Sequence, residues 1–204
     1  MIYELSRSWD GRRETEEPLT PFTMEWAAAI VCEFVGGTKY PFYEMPMENG
    51  IRLFTWYEVS AKPVNLVQWV ITVDGSRETV TTEMVVPTIV QSEDCDAVAE
   101  YCGYASSCSK DAELCLDKAT GHLCARRVAP FCAFAGDADA ELFKMFANVP
   151  AFLGYRLAGL YEVIGGRNPF EAFGESRRAE EENRKAQEEL LKDVKGGEDN
   201  EEGK

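Results

Sequence analysis

The spacing of apolar residues changes period twice along this chain of 204 residues before apolar character fades altogether. Residues 22–34 (FTMEWAAAIVCEF) are apolar on most sides, which predicts a helix near the centre of the fold. Thr20-Pro21 opens it, since threonine caps well and proline is tolerated in the first turn, and Gly36-Gly37 stops it. From about residue 40 to 90 the period shortens and β-branched and aromatic residues dominate, which predicts an antiparallel sheet of three to five strands. Asn49-Gly50 marks a two-residue hairpin between residues 43–45 and 51–59, and Asp74-Gly75 a second between residues 66–73 and 79–86. The aromatics Trp56, Tyr57 and Trp69 either form a binding face on that sheet or pack against a helix.

Helical spacing returns at residues 92–164. Ser92 reads as the cap of a helix over residues 93–102, with acids in its first turn. Ser109 reads as the cap of another over residues 110–116. A third short element holds Leu123, Cys124, Val128, Phe131 and Cys132, distorted by Pro130. Asp137 or Asp139 caps a longer helix whose buried face carries Leu142, Phe143, Phe146, Ala147 and Val149. Pro150 should break or kink it. A second run then places Leu153, Leu157, Leu160, Tyr161 and Ile164 on one side, and Gly165-Gly166 ends it. Beyond residue 175 the chain is rich in Glu, Lys and Arg. Residues 176–194 suit a solvated helix with favourable Glu-to-Lys spacings, and disorder is expected beyond Lys195. These elements describe one α+β domain at residues 1–174, a small antiparallel sheet packed by helices. Its sheet occupies about 40–90 and its helical cysteine-rich part 92–164, and a charged helical-to-disordered tail follows at 175–204.

Composition narrows the function classes. A hydrophobic fraction of 45% with 11% aromatics belongs to a folded protein. The formal net charge is −15, which repels phosphate backbones and anionic headgroups, so no nucleic-acid or membrane partner is expected. The basic pairs Arg12-Arg13, Arg126-Arg127 and Arg177-Arg178 read as solvated faces or ion-pair partners. The N-terminal residues lack the pattern of a secretory signal, and the expected location is cytoplasmic, that of the host if the protein is viral. No catalytic signature or phosphate-binding glycine motif is present, so no enzyme activity and no cofactor is expected.

Six of the seven cysteines fall between Cys95 and Cys132. Three readings stay open: reduced and mostly buried thiols, disulfides, or a metal site. No C-x-x-C pair exists, which disfavours a metal, and a reducing cytosol disfavours disulfides. Cys95/Cys102 and Cys108/Cys115 are each seven apart, which would place each pair on one helix face. His122, the only histidine, sits two before Cys124 and reads as a loop residue or a partner of that thiol.

The run Gly154-Tyr155-Arg156-Leu157-Ala158-Gly159-Leu160-Tyr161-Glu162-Val163 reads as a core helix with Arg156 and Glu162 on its solvent edge. The run and the acidic tail after it also resemble the C-terminal helix and tail of phage tail assembly chaperones. The resemblance implies a non-enzymatic assembly protein that binds the tape measure protein and recruits tail tube proteins. Tyr155, Arg156, Leu157, Gly159, Tyr161 and Glu162 would then serve as a packing or partner face. Two other functions remain: a metal- or thiol-dependent protein centred on the cysteines and His122, and an acidic viral inhibitor of a host factor.

Overall fold

The computed structural model describes residues 19–59 and 66–198. Residues 2–6 (IYELS), whose sequence suits a short strand, lie outside the described residues, as do residues 199–204 of the tail. The order of elements is α1 (Met24–Gly36), β1 (Tyr43–Met47), β2 (Gly50–Glu58), β3 (Leu66–Asp74), β4 (Thr79–Ile89), α2 (Cys95–Ser107), β5 (Glu113–Asp117), β6 (His122–Pro130), α3 (Phe131–Phe143), a π-helical segment (Lys144–Asn148), α4 (Val149–Ile164) and α5 (Pro169–Glu198). The six strands form one antiparallel sheet in the order β1-β2-β3-β4-β6-β5. The architecture is α+β, as the residue pattern predicts.

Local chemistry fixes the ends of these elements, not always where the sequence suggests. α1 begins at Met24, because Phe22 adopts a positive φ of 68° and Thr23 Oγ1 accepts the free N–H of Trp26. Thr20-Pro21 is therefore part of a preceding turn and not the helix cap. The first hairpin turns through Glu48 and Asn49, with Gly50 already paired to Met47. A side chain at Gly50 would meet the Val73 carbonyl, so glycine is needed there for the close approach of β3. The second hairpin has a four-residue loop rather than two, from Gly75 to Glu78. Asp74 Oδ1 holds it by accepting the N–H groups of Ser76 and Arg77.

The cysteine-rich section is where the helical expectation fails. α2 starts at Cys95, with Asp94 rather than Ser92 at its cap position. Ser109 Oγ accepts from the Asp111 and Ala112 N–H groups, but it closes a turn and not a helix. Strand β5 follows, and β6 returns through a turn in which Asp117 accepts from Ala119 and Thr120 and Gly121 takes a φ of 72°. The sheet thus has two more strands than residues 40–90 supply. Both extend it from β4, where β6 finds a partner already hydrogen-bonded on one side only. Pro130 ends β6 and precedes the first turn of α3, a position that needs no N–H.

Asp137 does cap, accepting from Ala140, but inside α3, where its φ of −158° and ψ of 89° make a kink. Pro150 does not break the chain's helical course. The wider π segment before it relieves the clash of the proline ring with the preceding turn, and α4 continues from there. Leu142, Met145 and Val149 are buried, whereas Phe143 is exposed. α5 runs without interruption through residues 174 and 175. Its Ala172 and Ser176 are buried against the body, and the helix extends to Glu198, past the residue where disorder was expected.

Burial alternates along every long strand. The inner face carries Ile51, Leu53, Val67, Trp69, Ile71, Val73, Val80, Met84, Leu123 and Ala125, packed by the helices. Trp69 sits at the centre of this face, with the rings of Tyr40, Phe42, Tyr57 and Phe146 at centroid distances of 6.2, 5.6, 5.2 and 5.1 Å. Its indole Nε1–H donates to Thr82 Oγ1 at 2.8 Å.

Thr82→Val keeps the side-chain shape but strands that buried indole N–H. The expected loss is about 1–3 kcal/mol. It should show as a lower urea midpoint with an unchanged slope.

Candidate interaction surface

The same alternation leaves the second sheet face without a described helix over it. Cross-strand partners form rows across this open face. One row runs Tyr43, Phe54, Val70, Glu83, Arg126, Glu113, one residue from each of the six strands. The next on one side runs Trp56, Gln68, Val85, Cys124, Cys115. On the other side run Met45, Arg52, Thr72, Thr81 and Val128. The face is therefore graded: aromatic and aliphatic at β1–β3, charged and thiol-bearing at β6 and β5.

The apolar end gathers exposed apolar side chains from β1, β2 and β3, with Arg52 and Gln68 among them. Tyr43 stacks on Phe54 at a centroid distance of 5.6 Å. Tyr43, Met45, Met47, Trp56 and Leu66 are all exposed, Trp56 at 54%. Glu48 and Glu58, both exposed, stand at its rim. β1 is an outer strand of the sheet, and Pro46 there removes one N–H from the free edge. Of the three aromatics singled out in the sequence, Trp69 and Tyr57 pack on the inner side and Trp56 alone lies on this face. This end had a signal in the sequence: strand β2 is apolar at Ile51 and Leu53 and also at Phe54 and Trp56, so it is apolar on both faces.

At the charged end, the neighbours Arg126 and Arg127 point to opposite sides of β6. Arg126 pairs with Glu113 at 2.8 Å. Arg127 pairs with Glu141 of α3 at 2.7 Å and donates to the Asp111 carbonyl at 3.2 Å. Asn148 donates to Asp111 at 2.8 Å, which closes the network. Burial alone would raise the Glu141 carboxyl, but hydrogen bonds from Arg127 and Lys144 outweigh it and hold the carboxyl below its ordinary value. The basic pair is thus an ion-pair element. An open depression of about 310 Å³ beside it is lined by Ser106, Ser109, Lys110 and Asp111 among others.

The 154–163 run lies inside the fold. Arg156, Leu157, Gly159 and Leu160 are buried, with Arg156 only 2% exposed. The expectation that Arg156 and Glu162 both lie on a solvent edge is therefore corrected: of the two, Glu162 is exposed, paired with Arg167, and Arg156 is buried. The Arg156 guanidinium lies over the rings of Phe152 and Phe173, 5.7 and 5.5 Å from their centroids, and its Nη2 donates to Glu180 of α5. Tyr155 is half-buried, and Tyr161 hydrogen-bonds Thr88 of β4. At Gly159 the helices α2, α4 and α5 converge. A Cβ there would lie 2.6 Å from the Tyr101 hydroxyl and 3.0 Å from the Ala172 carbonyl, and closer still to Ser176 Oγ. Tyr101 donates to the Arg156 carbonyl at 2.8 Å, and burial pushes its own pKa up to about 12. Arg156, Leu157, Gly159 and Leu160 thus pack within the fold, Tyr155 and Tyr161 are half-buried, and Glu162 faces outward.

All seven cysteines are free thiols. Cys95 and Cys102 share the buried face of α2, as their spacing predicts, and burial pushes Cys102 up to about 12. Cys32 in α1 is raised to about 12 in the same way. Cys108 and Cys115 do not share a helix, because Cys108 ends α2 and Cys115 lies in β5. Cys115 instead faces Cys124 across the β5–β6 pair. His122 lies at the exposed start of β6, opposite Asp117. Among the described residues, no group of three or more His, Cys, Asp or Glu is placed to hold a metal ion.

Gly159→Ala should destabilise the fold by about 1–3 kcal/mol through overpacking, read as a lower thermal midpoint. A carboxyl held below its ordinary value stabilises the fold fully above that value and loses its contribution as pH falls through the lowered one. The stability gap between the wild type and Glu141→Gln should therefore be full above pH 4.5, the ordinary value, and shrink below it, in denaturant titrations across acid pH.

Among the described residues no helix is long and apolar enough to cross a membrane. No family model, no curated protein and no solved structure matches this chain.

Proposed function

We propose that the protein is a non-enzymatic adaptor of the assembly type, which holds an apolar, basic segment of another protein against the β1–β3 end of its open sheet face. The exposed strip of Tyr43, Met45, Met47, Trp56 and Leu66 carries this reading. Fully burying an exposed apolar side chain contributes about 1.5–3 kcal/mol and these are about half exposed, so a group of them at one end of a sheet face favours association. Aromatic residues and methionine are also the types enriched where proteins bind one another, and methionine adapts to varied partners. The partner's charge follows from complementarity: Glu48 and Glu58 rim the strip and the chain carries a net −15. The likeness of the 154–163 run to phage tail assembly chaperones supports the same class. In that sharper form the partners are the tape measure and tail tube proteins, and the run itself serves to seat the charged helix α5.

The test is affinity purification of the tagged full chain from its native host or infection, beside a Met45→Ser/Trp56→Ser variant with an unchanged circular dichroism spectrum. The proposal expects a stoichiometric protein partner whose recovery is lost in the variant and weakens as salt is raised. Equal recovery by both chains, or no stoichiometric partner, would overturn it.

A further inference from the structure

We propose that Cys115 and Cys124 form a redox site, a thiol pair that a hydroperoxide converts to a cross-strand disulfide. The inference rests on the β5–β6 geometry and is independent of the partner proposed above.

Cys115 and Cys124 are direct partners in the β5–β6 register, one residue opposite the other in adjacent antiparallel strands. Residues so opposed have Cα atoms about 4.5 or 5.5 Å apart, depending on the type of pair, and both values fall inside the range a disulfide needs. Both side chains lie on the open sheet face and both are half-buried, so a small oxidant has access. β5 is an outer strand of only five residues, and an edge strand yields more readily to the small adjustment a bridge requires.

The surroundings divide the labour between the two thiols. On the open face the pair is flanked by Arg126 and Glu113 on one side and by His122 and Asp117 on the other. A hydrogen bond from Cys124 lowers the Cys115 thiol, assisted by the nearby Arg126 guanidinium and opposed by burial and by the Glu113 carboxylate. Cys124 is raised, first by that same hydrogen bond and then by burial. We therefore assign the first attack to Cys115, the thiol of the pair whose pKa is lowered, and the resolving role to Cys124.

The chemistry balances in two steps. The Cys115 thiolate attacks the nearer peroxide oxygen, the O–O bond breaks, and the departing oxygen takes a proton to leave as an alcohol, or as water from hydrogen peroxide. Cys115 is now a sulfenic acid. The Cys124 sulfur attacks the Cys115 sulfur, the S–O bond breaks, and hydroxide leaves with the Cys124 proton as water. In sum, two thiols lose two hydrogens and one hydroperoxide is reduced. A dithiol reductant restores the pair by exchange.

The experiment treats the reduced full chain with hydrogen peroxide, then digests it without reduction and maps linkages by mass spectrometry. The expected result is a linked peptide joining Cys115 to Cys124, lighter by two hydrogens and released by dithiothreitol. It should form before the exposed Cys108 and Cys132 are oxidised. With Cys124→Ser, the sulfenic acid on Cys115 should persist and be captured by dimedone. With Cys115→Ser, Cys124 should give no such adduct under the same treatment. A dominant bridge between other cysteines, oxidation of Cys115 to sulfinic acid without a bridge in the wild type, or oxidation of Cys108 and Cys132 first would overturn the proposal.

Discussion

The indole of Trp69 is the contact on which the rest of the fold depends. It projects from the central strand β3 into the helical layer, where Tyr40, Phe42, Tyr57 and Phe146 surround it. These rings come from the α1–β1 connection, from the neighbouring strand β2 and from the π segment, so one side chain ties two parts of the chain outside the sheet to it. An aromatic of this size contributes a large apolar area, but its N–H must find an acceptor when buried. Thr82 on the next strand supplies it, and the bond therefore also fixes the β3–β4 register. With that register set, the Leu53, Ile71 and Thr82 row and its neighbours all face the helices.

A second constraint holds the far end of the helical layer. α5 is strongly charged along its outer length, and a solvated helix has little reason to dock. It docks because Gly159 lets α2, α4 and α5 approach closely, and because Arg156 reaches Glu180 from over the Phe152 and Phe173 rings. Arg156 Nε and Nη1 find no hydrogen-bond partner among the described residues. Taking a guanidinium out of water is costly unless something replaces its hydration. Here the Phe152 and Phe173 rings and one carboxylate share that task.

Both constraints act on one side of the sheet, and the opposite face has no described helix packed on it. It is divided by strand order: the hairpin of β1 and β2 supplies an apolar end, and the β5–β6 hairpin supplies ion pairs and the facing thiols. Strand order is what separates them, since β6 inserts between β4 and β5 and pushes the thiols toward the outer edge. The exposed apolar residues and the facing thiols thus occupy opposite ends of one face, each with its own chemistry.

The sequence by itself determined what depends on near neighbours: the antiparallel hairpins of residues 43–89, the apolar helix α1, the helical run ending at Gly165-Gly166, and the pairing of Cys95 with Cys102 on one helix face. Each follows from periodicity or turn chemistry within about ten residues. Only the tertiary structure decided that residues 113–117 and 122–130 are strands. In isolation their cap-like Ser109 and mixed pattern suit a helix, and the free edge of β4 tips the balance by offering backbone partners. Tertiary packing also buried Arg156, whose charge reads as a surface position until α5 brings Glu180 to it, and brought Cys115 opposite Cys124. The physical reason is common to all three. A strand register or a buried charge is stabilised by groups distant in the chain, and the local pattern carries no record of which distant group will arrive.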